Sequence, residues 1–477
     1  FADKTVHYSD LDAYAADHHH ASVLDLVSSQ GTTKEGKTAY LSNQNIEYYR
    51  TGNPVTIDLN QYSLPMYFEN GAGYIPVQTF SDLVMSERNI FLISNGQDLF
   101  MSGAWYNDNT EMTDLFYSAK TSNRSQEMAQ FSYNELILAL DFQYGLKEDH
   151  AITDFASYIP QVSGLKERLL STNAVEADKG VHQLCTQAFS DFHSHLQGTS
   201  AYAGKDAFAT AKDASLQSPS YTEYLLIRYA FSTARSTILK AFGKTAFAPY
   251  EEYDNGDGTK TAFVTFDNFR EPSSDYYTTP ATADASDTFG IIEYAHSQIF
   301  AAGSTVKNVV LDLSCNGGGS ISAGVYTLGW FLPYGIFSDK NTLTGAQGSF
   351  TYASDVNMDG VYNADDRLIN SERNRNFNLY CLISPASFSC SNLVASAFKD
   401  SDQIRLIGRH TSGGGCTVQH LSMADGTLFA TSSNRQVSSV RNGAFTSIDD
   451  GVEADITLDT YLDFYNRAAL AKRIASF

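Results

Sequence analysis

Between Ser384 and Ser391 the sequence "SPASFSCS" sets four serines and a cysteine in eight positions. It lies between an apolar run, "FNLYCLIS", and the helix-like stretch "SCSNLVASAFKD". A serine on a strand-to-helix turn has its hydroxyl lifted clear of the sheet, and the helix N-terminus offers unpaired N–H groups to a developing oxyanion. Ser389 holds that place, because the apolar helix face (Leu393, Val394, Ala397, Phe398) begins just after it. A second loop, "CNGGGS" at 315–320, can bring backbone N–H groups close to the same point, since glycine carries no side chain to block the approach. The simpler reading of Ser389 is a helix cap, and on position alone that reading leads.

The elements around these loops alternate. "TAFVTFDNF" reads as a strand, "FGIIEYAHSQIFAAG" as a helix, and "KNVVLDLS" as a near-continuous apolar strand before the glycine loop and another helix. "FNLYCLIS", the helix after it and "DQIRLIG" complete the series. Such alternation implies a mainly parallel sheet with helices on it, whose ligands gather at the carboxyl ends of the strands. Both loops follow strand carboxyl ends. Upstream, "YEEYDNGDGTKTAFVTFDNF" reads as a hairpin turning at "NGDG". From "SYNELILALDFQYGL" to "GVHQLCTQAFSDFHSHL" the spacing is helical, and "YTEYLLIRYAFSTARSTILKAF" continues it. The first 125 residues are rich in Tyr, Asn and Ser, with β-like runs such as "NPVTIDLN" and "GYIPVQTF".

Four words occur in order between residues 309 and 456: "VVLDLSCNGGGS", "LISPASFSCSNLVASAFKD", "GRHTSGGG" and "DDGVEADI". Together they resemble the tail-specific, or C-terminal processing, serine peptidases, a family that also takes in the tricorn core protease and retinoid-binding repeats of the eye. The match covers about 260–460, more weakly the helices before it, and not the first 125 residues. The resemblance implies an α/β (α+β overall) chain. Its catalytic domain, 251–477, would be crotonase-like, of ββα type with a mainly parallel sheet, beneath a helical cap (126–250) and a β-rich N-terminal cap domain (1–125). It places the nucleophile at Ser389, eleven residues before Asp400, with Ser387 and Ser391 as competing registers. Cys390 becomes a small packing residue whose N–H serves the oxyanion hole, with a second donor from Gly318 or Gly319.

The departures set the subtype. Processing peptidases of this family carry a lysine base where this chain reads "TSGGGCTVQ"; the matching place is Gly414, and no lysine occurs between Lys399 and Lys472. The tricorn-like branch takes a histidine from a D-G-H-[ST] word upstream. Asp191-Phe192-His193-Ser194 is similar to it and makes His193 the candidate base, His195 the second and His182 the third. Without the family, His193 reads as a solvated or capping residue. A neutral imidazole can take the serine proton and return it to the leaving amine. Activity is then expected to rise with pH near the free histidine value of about 6.5. Asp449, or Asp450 beside it, is the acidic residue that would orient the imidazole.

"DVNMDGVYNADD", residues 355–366, spaces oxygen ligands as a helix–loop–helix calcium site does: Asp355, Asn357, Asp359, the carbonyl of Val361, Asn363 and Asp366, with glycine at the sixth position. It resembles a single dockerin loop, with aspartate for the usual final glutamate, and implies a structural Ca²⁺. An Asx-rich surface turn imitates part of the pattern.

The charge of −22 disfavours nucleic acid and anionic membranes as partners and suits a soluble protein outside a cell. Aromatic content of 13% argues for a globular chain. Five scattered cysteines, with no CxxC pair, are neither a disulfide framework nor a zinc ribbon. No apolar run of about 20 residues is present, so no transmembrane segment is expected. "HHH" at 18–20 reads as a solvated turn. The chain opens at Phe1, as a processed product would, which suggests a secreted or cell-surface protein of bacterial type. The resulting expectation is a serine endopeptidase acting on a peptide or protein, with no catalytic cofactor and no inserted PDZ module; a non-catalytic binder on the same fold is the rival.

Overall fold

The computed structural model describes residues 3–12, 27, 39–88, 90–102, 110–119, 124–369, 376–439 and 445–477; the triple histidine at 18–20 lies outside them. The sheet that carries both loops runs in the order Ile456–Thr457, Ile404–Gly408, Asn378–Ile383, Val306–Asp312, Lys260–Thr265 and Tyr250–Asp254. Neighbours are parallel except the last pair, which is the hairpin expected at "NGDG". This is the α/β architecture, with a mainly parallel sheet, expected from the alternating pattern.

Apolar runs without a polar face make sense here because both faces of the sheet are covered. Val309 and Leu311 join Ala262, Val264, Leu379 and Cys381 against the helices Thr288–Ile299, Ile321–Phe331 and Cys390–Ser401. Val310, Phe263, Tyr380 and Leu382 point the other way, toward Phe231 of the helix Pro219–Ala241 and Leu470 of Arg467–Ala475.

A second, antiparallel sheet is ordered Cys416–Ser422, Leu428–Ser438, Gly335–Asn341, Gln347–Ser354 and Leu41–Arg50. The strand Leu41–Arg50 thus closes one edge of a sheet built mostly from the C-terminal half. His195–Gly198 pairs with Leu428–Ser438, which docks the end of the helical region beside the glycines that follow Gly408.

Two local expectations are corrected. "GYIPVQTF" is extended only at Gly73–Tyr74, the end of the strand Ala72–Tyr74, and after Pro76 at the N-cap it turns helical at Val77–Phe80, a place where proline's missing N–H costs no helix hydrogen bond. "SDFHSHL" does not continue the helix before it. Ser190 takes a left-handed conformation (φ 55°), and the Asp191 carboxylate then accepts the N–H groups of His193 and Ser194, an Asx turn that leads into the strand at His195. The five cysteines are all free. Among the described residues no helix is long and apolar enough to cross a membrane.

Candidate active site

The strand Asn378–Ile383 delivers the serine turn beside the strand carrying the glycine loop. Short polar side chains fasten the turn: Ser384 Oγ donates to the carbonyl of Ser314 (2.5 Å) and Ser387 Oγ to that of Leu313 (2.7 Å). Ser387 and Ser391 are fully buried, whereas Ser389 is half-buried. Ser389 has φ 59° and ψ −124°, a region that costs a non-glycine residue about 1–3 kcal/mol and is held only by its surroundings. Its N–H donates to Gly413 O (2.8 Å), and its side chain makes no capping hydrogen bond to the helix it precedes. The strained serine does not cap. Cys390 is buried with Sγ directed to Ser320 O (3.2 Å); burial raises its thiol far above the usual range, so it stays protonated and inert as a nucleophile.

The glycine loop is shaped by Asn316, whose Nδ2 donates to Phe266 O (2.9 Å) while Oδ1 accepts the N–H of Gly318 (2.8 Å). Gly318 has φ 106°, and a β-carbon there would stand 2.7 Å from Ser389 Cβ and 3.1 Å from Cys390 N. Of the two glycines singled out from the sequence, Gly318 has its amide engaged by Asn316. No such engagement occurs for Gly319 or Cys390 among the described residues.

His193 is buried, its ring against that of Phe388 with centroids 4.6 Å apart. Nδ1 is 3.5 Å from Ser432 Oγ, and Nε2 is buried without a partner. It lines an 80 Å³ cavity with Asp191, Phe388, Gly414, Asp449 and His150. Burial pushes its pKa down to about 4, against the opposing pull of Asp191 and with the help of His195. That is well below the value of about 6.5 expected of a free histidine. No hydrogen bond joins His193 to Ser389 among the described residues; Phe388 touches the imidazole and adjoins the serine in sequence.

Asp449 reaches the same cavity and accepts the N–H of Gly415 (2.7 Å); burial raises its carboxyl, while Asp450 is exposed. Asp191, given no role from the sequence, is more closely engaged with His193. Its carboxylate accepts the amides of His193 (3.1 Å) and Ser194 (2.9 Å) and the hydroxyls of Ser194 (2.7 Å), Ser432 (3.0 Å) and Tyr144 (3.0 Å). The signal was available: an aspartate two residues before a histidine at a helix end is an Asx-turn former. His195 turns its Nδ1 to the carbonyl of His193 (2.8 Å), and His182 is buried on the helix Ala174–Gln183. At Gly414 a β-carbon would stand 2.6 Å from Phe388 and 2.9 Å from Ser389 N, leaving no room for a lysine side chain.

In the 355–366 loop, Asp355 Oδ2 accepts the N–H of Gly360 (2.9 Å), Asn357 Oδ1 that of Asp359 (3.1 Å) and Asp359 Oδ1 that of Val361 (2.8 Å). Asp366 accepts the amides of Val356 (2.9 Å) and Asn363 (2.8 Å), and Asn363 caps the short turn Ala364–Asp366. Burial raises the carboxyls of Asp355 and Asp366, the latter to about 6. Among the described residues no group of three or more His, Cys, Asp or Glu side chains is gathered as a metal site.

A serine on a strained strand-to-helix turn, beside a glycine loop with open amides, is an arrangement that can hold a nucleophile next to oxyanion donors. Residues 262–458, which hold both loops, match the model of peptidase family S41. No curated protein matches the chain. Among solved structures the chain is similar to a photosystem II D1 C-terminal processing protease, at 20% identity over 48% of this chain and 54% of that one, with a TM-score of 0.34. It is also similar to a lipoprotein from Streptococcus agalactiae, at 13% identity over 75% and 99% (TM-score 0.38), and to the tricorn protease, at 13% over 45% and 17% (TM-score 0.26). The match spans about half the length of the D1 processing protease.

Proposed function

We propose that the chain is a serine endopeptidase that cleaves peptide bonds through an acyl-enzyme, with Ser389 as nucleophile and His193 as general base. The observation that carries this reading is the backbone of Ser389, held at φ 59° with its hydroxyl free of any capping role. Cys390 and Gly319 supply the N–H groups for the oxyanion. His193, neutral through most of the pH range, takes the serine proton at Nε2, the nitrogen without a partner. Asp191 fixes the turn that presents the imidazole, directly through the backbone and, through Ser432, toward Nδ1; Asp449 lines the far side of the cavity. Nε2 meets no partner in the free protein, and catalytic hydrogen bonds commonly tighten only when substrate is bound. The acidic surface suits work outside the cell, which recovery of the protein from culture fluid rather than cells would test.

One observation favours a non-catalytic binder instead: no hydrogen bond joins His193 to Ser389 among the described residues, and the imidazole packs on Phe388. A fluorophosphonate probe decides between them. The enzyme reading expects labelling that maps to Ser389 and disappears in Ser389→Ala. Labelling that disappears instead in Ser387→Ala or Ser391→Ala moves the nucleophile, and none at all leaves the binder.

A further inference from the structure

The loop at 355–366 lies apart from the serine and is not needed by the peptidase reading. Its six candidate ligands are all oxygens: three carboxylates, two amides and the carbonyl of Val361. Only half are acidic side chains, so the loop is not a simple carboxylate cluster. The Asx hydrogen bonds of Asp355, Asn357 and Asp359 wind the chain into successive turns, and Gly360 (φ 80°) makes the sharp one.

Asp355 adds an independent observation. It is 0% exposed, and its Oδ2 accepts the Gly360 amide, which aims the carboxylate into the loop. Its Oδ1 is buried and has no hydrogen-bond partner. A carboxylate oxygen removed from water without a donor is costly, and an ionised carboxylate can only accept. No lysine, arginine or histidine forms an ion pair with Asp355, Asp359 or Asp366 among the described residues. A cation is the partner that chemistry calls for.

We propose that residues 355–366 bind one calcium ion through Asp355, Asn357, Asp359, the Val361 carbonyl, Asn363 and Asp366, and that the ion locks the loop to the catalytic framework. An all-oxygen set of six suits a hard cation, and a winding loop of mixed carboxylate, amide and carbonyl groups suits calcium better than magnesium, which demands near-ideal octahedral geometry and keeps its waters. The exposed side chain of Asp359 leaves an entry path. The locking follows from what Asp355 touches. Its N–H donates to Tyr40 O (3.0 Å), its carboxylate accepts from Tyr277 (2.9 Å), and its carbonyl accepts from Tyr326 (3.3 Å). Leu368 N donates to Trp330 O (2.9 Å). Tyr326 and Trp330 sit on the helix Ile321–Phe331, which begins just past the glycine loop.

The test uses the full chain, stripped with chelator, and terbium as the probe, because Tyr277 and Tyr362 stand close enough to sensitise a bound lanthanide. The expected result is one terbium per chain, displaced by calcium and not by equal magnesium, with a thermal midpoint several degrees higher in calcium than in chelator. Asp355→Ala with Asp359→Ala should abolish both responses. Should that variant fail to fold, Asp359→Ala alone, at an exposed position, should weaken calcium binding at least tenfold while leaving the calcium-free midpoint unchanged. Terbium binding that persists in the double variant, a midpoint indifferent to calcium, or equal displacement by magnesium overturns the proposal. Ser389→Ala should bind calcium as the parent does, so these outcomes are independent of the peptidase reading.

Discussion

Gly318 and Ser389 are in such close contact that a β-carbon on the glycine would stand 2.7 Å from that of the serine. Real Cβ atoms do not approach so closely, and φ 106° at Gly318 adds strain for any other residue. Gly318→Ala must therefore displace the glycine loop, the serine turn or both. Because that moves an oxyanion donor, turnover on a peptide substrate should fall about 10²–10³-fold. The far-ultraviolet circular dichroism should stay native. Turnover at the parent rate would mean that the loop does not brace the serine.

Asp191 accepts five hydrogen bonds, two of them from the amides that set the His193 turn. Asn at this position keeps the shape but puts an NH₂ group among donors. Asp191→Asn should cost stability by about 1–3 kcal/mol in urea unfolding, and turnover by about two orders of magnitude or more. KM should change little, since Asp191 acts through the imidazole and not on the substrate. A mutant with raised KM and normal kcat would assign Asp191 to substrate binding instead.

The serine turn and glycine loop were legible because each is short and local: a strand pattern, a run of small residues, then a helical period. The parallel sheet followed from alternation, since apolar runs such as "VVLDL" need two covered faces. What could not be read was long-range. Pairing of Leu41–Arg50 with Gln347–Ser354 joins residues some 300 apart, and no periodicity encodes such a partner. The Asp191 network was hidden for the same reason, because Ser432 and Tyr144 reach it from distant strands and helices. The burial that depresses His193 is likewise a property of Phe388 and the surrounding packing, which its place in the sequence does not reveal.

Arg467 and Asp312 form a buried ion pair at 2.5 Å, and the guanidinium also lies over the rings of Phe247 (3.9 Å) and Phe263 (4.3 Å). Asp312 closes the strand before the glycine loop and accepts the amide of Ser314 (2.9 Å). Removing one partner strands the other charge in the core. Asp312→Ala should therefore destabilise by about 3–5 kcal/mol, whereas replacing both by apolar residues of similar volume should recover much of it. Chemical denaturation of the two single variants and the double variant measures this. A single variant within about 1 kcal/mol of the parent would show that the pair is reached by water.

The base can be tested through pH. His193 is held at about 4 by burial, while the same residue in the unfolded chain titrates near about 6.5. If it is the base, kcat/KM should rise with pH through an ionisation well below 6.5 and be flat across neutrality. A buried lysine would put the rise at alkaline pH. Stability carries the same signature with a defined sign. Above about 6.5 both states are neutral at this residue and it adds no pH dependence. As pH falls from about 6.5 to about 4 the unfolded chain takes up a proton that the folded one refuses, so stability is lost through that window, by at most about 3 kcal/mol. His193→Gln never charges. The difference in unfolding free energy between parent and variant should therefore narrow in favour of the variant between pH 6.5 and 4, with all shared groups cancelling. At neutral pH His193→Ala should lose about as many orders of magnitude in turnover as Ser389→Ala, because members of one proton-transfer unit fail together, and His195→Ala should be mild. A severe His195→Ala beside a near-normal His193→Ala would move the base to the strand residue that now hydrogen-bonds the His193 carbonyl.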